Sequence, residues 1–151
     1  MPERSMLGWA LTALLREWTH RVSAVAADVP HGGRGYQVLA MSLEHEPPTQ
    51  AALAARLGID RTVMTYVLDD LEVAGLIERR QDAADRRARR IVVTEAGRRV
   101  AADLDARVRE AEAELLGGLE PEQRDLLCGL LEHAASDAAP GDDRCAVTAR
   151  G

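Results

Sequence analysis

The 151-residue chain contains no phenylalanine and no lysine. Its aromatic residues are Trp9, Trp18, Tyr36 and Tyr66, so the core has to be built of Leu, Val and Ala, a mixture that favours helix over sheet. All nineteen basic residues are arginine; this is a compositional bias of the host, although arginine pairs better than lysine with phosphate and base edges. Cysteine is scarce too: Cys128 and Cys145 both come late in the chain, which fits a reduced, cytoplasmic setting. His20, His31, His45 and His133 show no metal-ligand spacing with each other or with the cysteines, so no metal and no other cofactor is expected. No apolar run approaches the ~18 residues that span a bilayer, and residues 1–9 lack the basic-then-apolar layout of a signal peptide. Nucleophile–base motifs, phosphate-cradling glycine loops and carboxylates flanked by histidine are all missing, which argues against an enzyme.

What is present is a chain of ordinary globular composition, 46% apolar and 29% charged, long enough for one domain with a real core. Its net charge is −6, yet residues 79–99 hold eight arginines against Asp82, Asp85 and Glu95, a local +5. An acidic whole argues against indiscriminate binding to nucleic acid and confines any such contact to that basic face.

Periodicity gives the layout. Leu7, Ala10, Leu11, Leu14, Leu15, Trp18, Val22 and Val25 form the stripe of a long amphipathic helix over about residues 3–27. The segment 28–35, with one proline and three glycines, stops it. A short helix follows from Tyr36 to Leu43 and ends before Pro47 and Pro48. Thr49 can cap a third helix with Ala52, Leu53 and Leu57 inward, stopped at Gly58. Asp60 can cap a fourth, with Val63, Val67, Leu68 and Leu71 inward and Gly75 as its end. Residues 76–80 and 89–93 read as strands around an Asp82-Ala83-Ala84-Asp85 loop. Thr94 caps a long helix over about 95–117, broken by Gly117-Gly118, and Pro121 opens a last one over about 121–136. Residues 138–151 read as a flexible tail.

Two helices joined by a tight turn, then an arginine-tipped hairpin, make a winged helix-turn-helix. The major groove of duplex DNA is ~12 Å wide and admits one helix, whose first turns present side chains to base edges. The outward residues of the fourth helix are Arg61, Thr62, Thr65, Tyr66 and Asp69; for Tyr66, packing and DNA contact stay equally open. The hairpin can place an arginine in the minor groove, where the potential is most negative.

The segment AALAARLGIDRTVMTYVLDDLEVAGLIERR, followed by DRRARRIVVTEAGRR, resembles the MarR family of transcriptional regulators over about residues 36–99. Asp85-x-Arg87, a few residues before Val-Thr-Glu-Ala-Gly (93–97), is its most specific part; Glu120 departs from the better helix cap of many relatives. The resemblance implies a mainly α fold with a small β-hairpin wing. Residues 1–137 then form a single winged helix-turn-helix domain, with a DNA-binding lobe at about 36–94 and N- and C-terminal dimerisation helices. It implies that Arg87 enters the minor groove while Asp85 holds it by a charge-assisted hydrogen bond. Arg86, Arg89 and Arg90 are then phosphate contacts or strand-surface charges, and Arg61, Thr62, Thr65 and Tyr66 base or phosphate contacts. It further implies a homodimer on an inverted-repeat operator of double-stranded DNA, acting as a repressor.

The terminal helices carry more Leu and Val than a small lobe can cover, which supports the dimer independently. Relatives bind small lipophilic or phenolic effectors between the dimerisation helices and the DNA-binding lobe; the candidates here are Arg16, Trp18, His20, Tyr36 and Met41, all of which also suit plain packing. Trp9 and Trp18 lie on the first helix's stripe and fit packing better than ligand stacking. Cys128, among Leu126, Leu127, Leu130 and Leu131, reads as a small buried hydrophobe. The alternative function is a winged-helix protein–protein interaction module without specific DNA binding, its wing meeting an acidic partner.

Overall fold

The computed structural model describes residues 5–44 and 46–138. The expected tail, with Cys145, lies outside the described residues except for Ala138, which is helical; His45 and the expected start of the first helix lie outside them as well. The elements run α1 (Leu7–Val25), α2 (Gly33–Leu43), α3 (Gln50–Leu57), α4 (Arg61–Val73), β1 (Ile77–Gln81), β2 (Arg89–Val93), α5 (Glu95–Leu115) and α6 (Pro121–Ala138). The fold is mainly helical with one antiparallel hairpin. Among the described residues no helix is long and apolar enough to cross a membrane.

Side-chain caps begin the helices where the sequence places them. The Thr49 hydroxyl accepts from the Ala52 N–H, Asp60 from the N–H groups of Thr62 and Val63, and Thr94 from Gly97. Gly58 and Gly75 end α3 and α4 in the left-handed region, at φ 60° and 73°. Leu76 uses its N–H to close α4 on the Leu71 carbonyl, so β1 runs one residue later than expected. Ile77 pairs with Val93 and Gln81 with Arg89. An isolated bridge from Thr49 to Arg90, and a bond from the Ile91 N–H to the Pro48 carbonyl, add a third edge to the wing that the prolines had concealed.

Helix α2 begins at Gly33, earlier than the glycines suggest. A Cβ at Gly33 would stand 3.2 Å from Val22, and one at Gly35 would overlap the Pro30 carbonyl. Those glycines permit close packing of α2 on the preceding turn and do not break the helix. Helix α1 is shorter than expected, with Met6 as its N-cap and Ala26 as its C-cap. α5 ends at Leu115 and α6 runs on to Ala138.

The core fills the lobe between α2, α3, α4 and the hairpin, where Val38, Leu39, Leu53, Met64, Val67, Leu68, Leu71, Ile77 and Ile91 are buried. Ala101 and Leu104 extend it onto α5, and α5 packs along α1. Met64, not Val63, is the first inward residue of α4; Val63 is 37% exposed. The true stripe steps 64, 67, 68, 71, which keeps to the i, i+3, i+4, i+7 rule. Cys128 is exposed and not buried, because α6 buries none of its residues within one protomer.

Gly97 marks where α5 meets the hairpin. A methyl there would overlap the Leu76 carbonyl and stand 2.7 Å from Val93 Cγ1. Helix propensity alone favours alanine over glycine by about 1 kcal/mol. We expect Gly97→Ala instead to destabilise by about 1–3 kcal/mol through overpacking, read as a lower midpoint in chemical denaturation.

Candidate nucleic-acid interface

The inward stripe of α4 turns its other face to solvent. Arg61, Thr62 and Thr65 are exposed there, and Tyr66 is 62% exposed, so its ring is not a packing residue within the protomer. The Thr65 hydroxyl donates to the Arg61 carbonyl at 3.0 Å and accepts from Gln50 Nε2 at 3.1 Å. Gln50, at the start of α3, thus joins the two helices of the motif. Sequence reading did not single it out.

Asp82 organises the wing. Its side chain is 6% exposed, and Oδ1 accepts from the N–H groups of Ala84 at 2.6 Å and Asp85 at 3.1 Å. Oδ2 accepts from Arg90 Nε, and Arg90 Nη1 continues to the Pro47 carbonyl at 2.6 Å. The two backbone N–H groups, then Arg90, hold the Asp82 carboxyl below its ordinary range. Arg90 is therefore an internal tie, with Nε and Nη1 engaged, and not a free surface charge. Asp85 Oδ1 accepts from the backbone N–H of Arg87 at 2.9 Å, and Gln81 Nε2 donates to the Arg86 carbonyl. Asp85 thus fixes the chain at Arg87; its bond is to the backbone, where the resemblance implied the guanidinium.

A second tie joins the wing to α4. Arg79 of β1 donates Nη2 to Asp69 at 2.6 Å and to the Thr65 carbonyl at 3.3 Å, and Nη1 to Glu72 at 3.4 Å. Its backbone N–H goes to the other Glu72 oxygen at 2.9 Å. Asp69, read as outward, is consumed by this brace.

The local charge accordingly divides. Arg79, Arg80 and Arg90 pair with carboxylates of the lobe, whereas Arg61, Arg86, Arg87 and Arg89 have no ion-pair partner among the described residues. A hollow of about 430 Å³ opens between α3, α4 and the wing, and Arg61, Thr65, Arg87 and Arg89 line it together with Thr49 and Gln50. Thr62 and Tyr66 continue the outer face of α4, and Asp85 and Arg86 stand at the wing tip; none of these four lines the hollow.

The five effector candidates are not gathered in this way. Arg16 and His20 are exposed on α1, and Met41 packs against the core. The Tyr36 hydroxyl donates to Asp105 at 2.7 Å, and burial with that carboxylate raises its pKa well above the ordinary phenol value. Trp18 Nε1 donates to Glu112 at 2.8 Å. Trp18 also borders a cleft of about 500 Å³ between α1, α2 and the start of α4, with Thr19, Ser23, His31, Arg34, Gln37 and Asp60 as polar walls, the Asp60 carboxylate being engaged by the N–H groups of Thr62 and Val63. Leu57, Ile59 and Val63 are among its apolar walls. Arg34 and His31 carry no local signal for this cleft, because the turn at residues 29–33 brings them beside Trp18 only in the fold. Among the described residues no group of His, Cys, Asp and Glu is placed to hold a metal ion.

Comparison with known proteins follows the same outline. The model of the MarR family matches residues 33–88. CouR from Rhodococcus jostii RHA1, in complex with p-coumaroyl-CoA, is 29% identical over 85% of this chain and 91% of its own, with a TM-score of 0.72. The Mycobacterium tuberculosis MarR family protein Rv2887 is 25% identical in two complexes. With salicylic acid the match covers 89% of this chain and 99% of that one at a TM-score of 0.71. With DNA it covers 87% and 98% at 0.68.

Asp82 gives a prediction with a definite sign. Its folded pKa lies below the ordinary 3.8, so its contribution to stability is present above that pH and is lost as pH falls through the lower folded value. Asp82→Asn should melt below wild type at neutral pH, and the two melting curves should converge as the solution is acidified below that point.

Proposed function

Because the chain belongs to the MarR family of transcriptional regulators, we propose that it is a repressor that binds an inverted-repeat operator as a homodimer and is released by a small effector. The observation that carries this reading is the hollow between α4 and the wing, where Arg61, Thr65, Arg87 and Arg89 face one space. Thr62 and Tyr66 extend the base-reading face of α4. Arg87, set by Asp85, is directed to the minor groove, while Arg86 and Arg89 meet phosphate. Arginines without internal partners are free to exchange condensed counterions for phosphate contacts.

The homodimer is supported by what one protomer leaves uncovered. Leu7, Trp9, Leu11 and Leu15 of α1 and Leu126, Leu130 and Leu131 of α6 are 40–68% exposed. A contiguous apolar surface of that kind marks an interface. The same faces border an apolar cavity of about 380 Å³ that includes Trp18, Leu127 and Cys128. Partial desolvation, then the neighbouring Glu112, Glu132 and Asp125 carboxylates, raise the pKa of the exposed Cys128 thiol. Two-fold pairing sets the recognition helices about 34 Å apart, one turn of DNA.

For the effector, the cleft beside Trp18 fits a small organic anion with a flat apolar body. Arg34 and His31 meet the charge, and Leu15, Trp18 and Ile59 meet the body. This cleft replaces the set Arg16, His20, Tyr36 and Met41 as the effector site, with Trp18 retained. The similar proteins that bind p-coumaroyl-CoA and salicylic acid support the ligand class.

Fluorescence anisotropy with the DNA upstream of the protein's own gene tests this. Binding should be sequence-selective and should weaken steeply with salt. Arg87→Ala should cost about 1–3 kcal/mol of operator binding, the value of a specific contact, and leave the dimer intact by sedimentation. Binding to a protein partner that survives both Arg87→Ala and Arg61→Ala, without selective DNA binding, would favour an interaction module instead.

A further inference from the structure

We infer that His31 is a positioning residue that ties the recognition helix to the effector cleft, and that an anion in the cleft loosens α4 by drawing His31 away from Asp70. The inference rests on the cleft reading given above for its second half only.

His31 lies in the turn between α1 and α2 and has φ 63°, the left-handed region that side chains seldom adopt. The turn is tightly seated. The Gly32 N–H reaches the Val29 carbonyl at 2.8 Å, the Arg34 N–H reaches the His31 carbonyl at 3.2 Å, and the Pro30 carbonyl leaves no room for a side chain at Gly35. Glycines follow at 32 and 33, yet the position beside them carries an imidazole. A strained backbone that persists points to a use for the side chain it presents. That use is visible: Nε2 stands 2.7 Å from Asp70 Oδ2 on α4.

The three carboxylates of α4 are thus held from two sides. Asp69 and Glu72 go to Arg79 of the wing, inside the lobe, while Asp70 goes to a turn that continues α1. Apolar packing through Met64, Val67, Leu68 and Leu71 fixes which face of α4 is inward, while the non-directional contacts themselves resist small displacements of its axis without favouring one position. The His31–Asp70 bond is directional and joins α4 to the turn before α2. His31 also lines the effector cleft, next to Arg34. One ring therefore borders both the effector and the reading helix, and a carboxylate held by Arg34 competes with Asp70 for it. A partly exposed pair holds α4 weakly enough to be displaced.

The test uses the full chain with His31→Asn, Asp70→Ala and both together. Asparagine tolerates the left-handed backbone but is too short to reach α4. Without effector, operator affinity should show a coupling between the two sites of about two- to fivefold, the size of an exposed ion pair. The slope of affinity against salt should stay unchanged, since no phosphate contact is lost. Strictly independent effects would overturn the positioning role. Salicylate is then the probe, with each protein saturated as judged by calorimetry: Asp70→Ala should bind it as the wild type does and the two proteins carrying His31→Asn more weakly, and at saturation it should weaken operator binding in the wild type far more than in any variant. An equal loss in all four would overturn the switch while leaving the cleft standing. If salicylate neither binds the wild type nor affects its DNA binding, the cleft reading and the switch both fall, and the ligand-free cycle alone decides the role of His31.

Discussion

Four side chains of α4, Met64, Val67, Leu68 and Leu71, are fully buried, and their burial determines which face of that helix is left for anything else. A rotation of one residue would bury Thr65, Asp69 and Glu72 and expose Met64, Val67 and Leu71. Everything at the interface follows from this constraint: the exposure of Arg61, Thr62 and Tyr66, the bond between Thr65 and Gln50, and the placing of Asp69 and Glu72 against the wing. The caps at Asp60 and Gly75 fix where the helix starts and stops, but the apolar stripe fixes how it is turned.

Charge in the wing is organised by the same division between inside and outside. Eight arginines in residues 79–99 look like one basic cluster in the sequence. In the fold, Arg79 and Arg90 are structural cations: Arg79 meets Asp69, Glu72 and the Thr65 carbonyl, and Arg90 meets Asp82 and the Pro47 carbonyl. Arg80 pairs with Glu78, and Arg98 and Arg99 lie on α5; what remains in the wing for a nucleic acid is Arg86, Arg87 and Arg89, held out by a tip whose backbone is bonded to Asp82 and Asp85. A wing built this way presents its free cations on a rigid base, so less conformational entropy is lost on binding.

The fold was largely legible from the sequence because its signals are local. Capping residues, two glycine stops, a proline at the start of α6 and apolar spacing of three and four depend on near neighbours only. Contacts distant in sequence were hidden. Nothing in the sequence near Asp82 says that its partners include Arg90, or that Arg90 reaches Pro47. The hairpin's third edge at Pro48–Thr49 was masked by prolines that end a helix. Val63 has the apolar character of a core residue, but the register that Met64 sets turns it outward. Cys128 was misplaced for a related reason: its leucine neighbours lie on a helix with no protomer core to enter. Of the site, Arg61, Thr65, Arg87 and Arg89 converge as the motif suggests, while the effector set scatters because α1 offers several faces and the sequence does not say which meets α2.

In the proposed repressor, the lobe reads DNA and the terminal helices set two readers side by side. That pairing is geometric, and hydroxyl-radical footprinting on the upstream DNA of the gene tests it most directly. The account predicts two symmetric protected regions about one helical turn apart, with flanking minor-groove protection that disappears in Arg87→Ala. A single protected patch, or protection without two-fold symmetry, would contradict it.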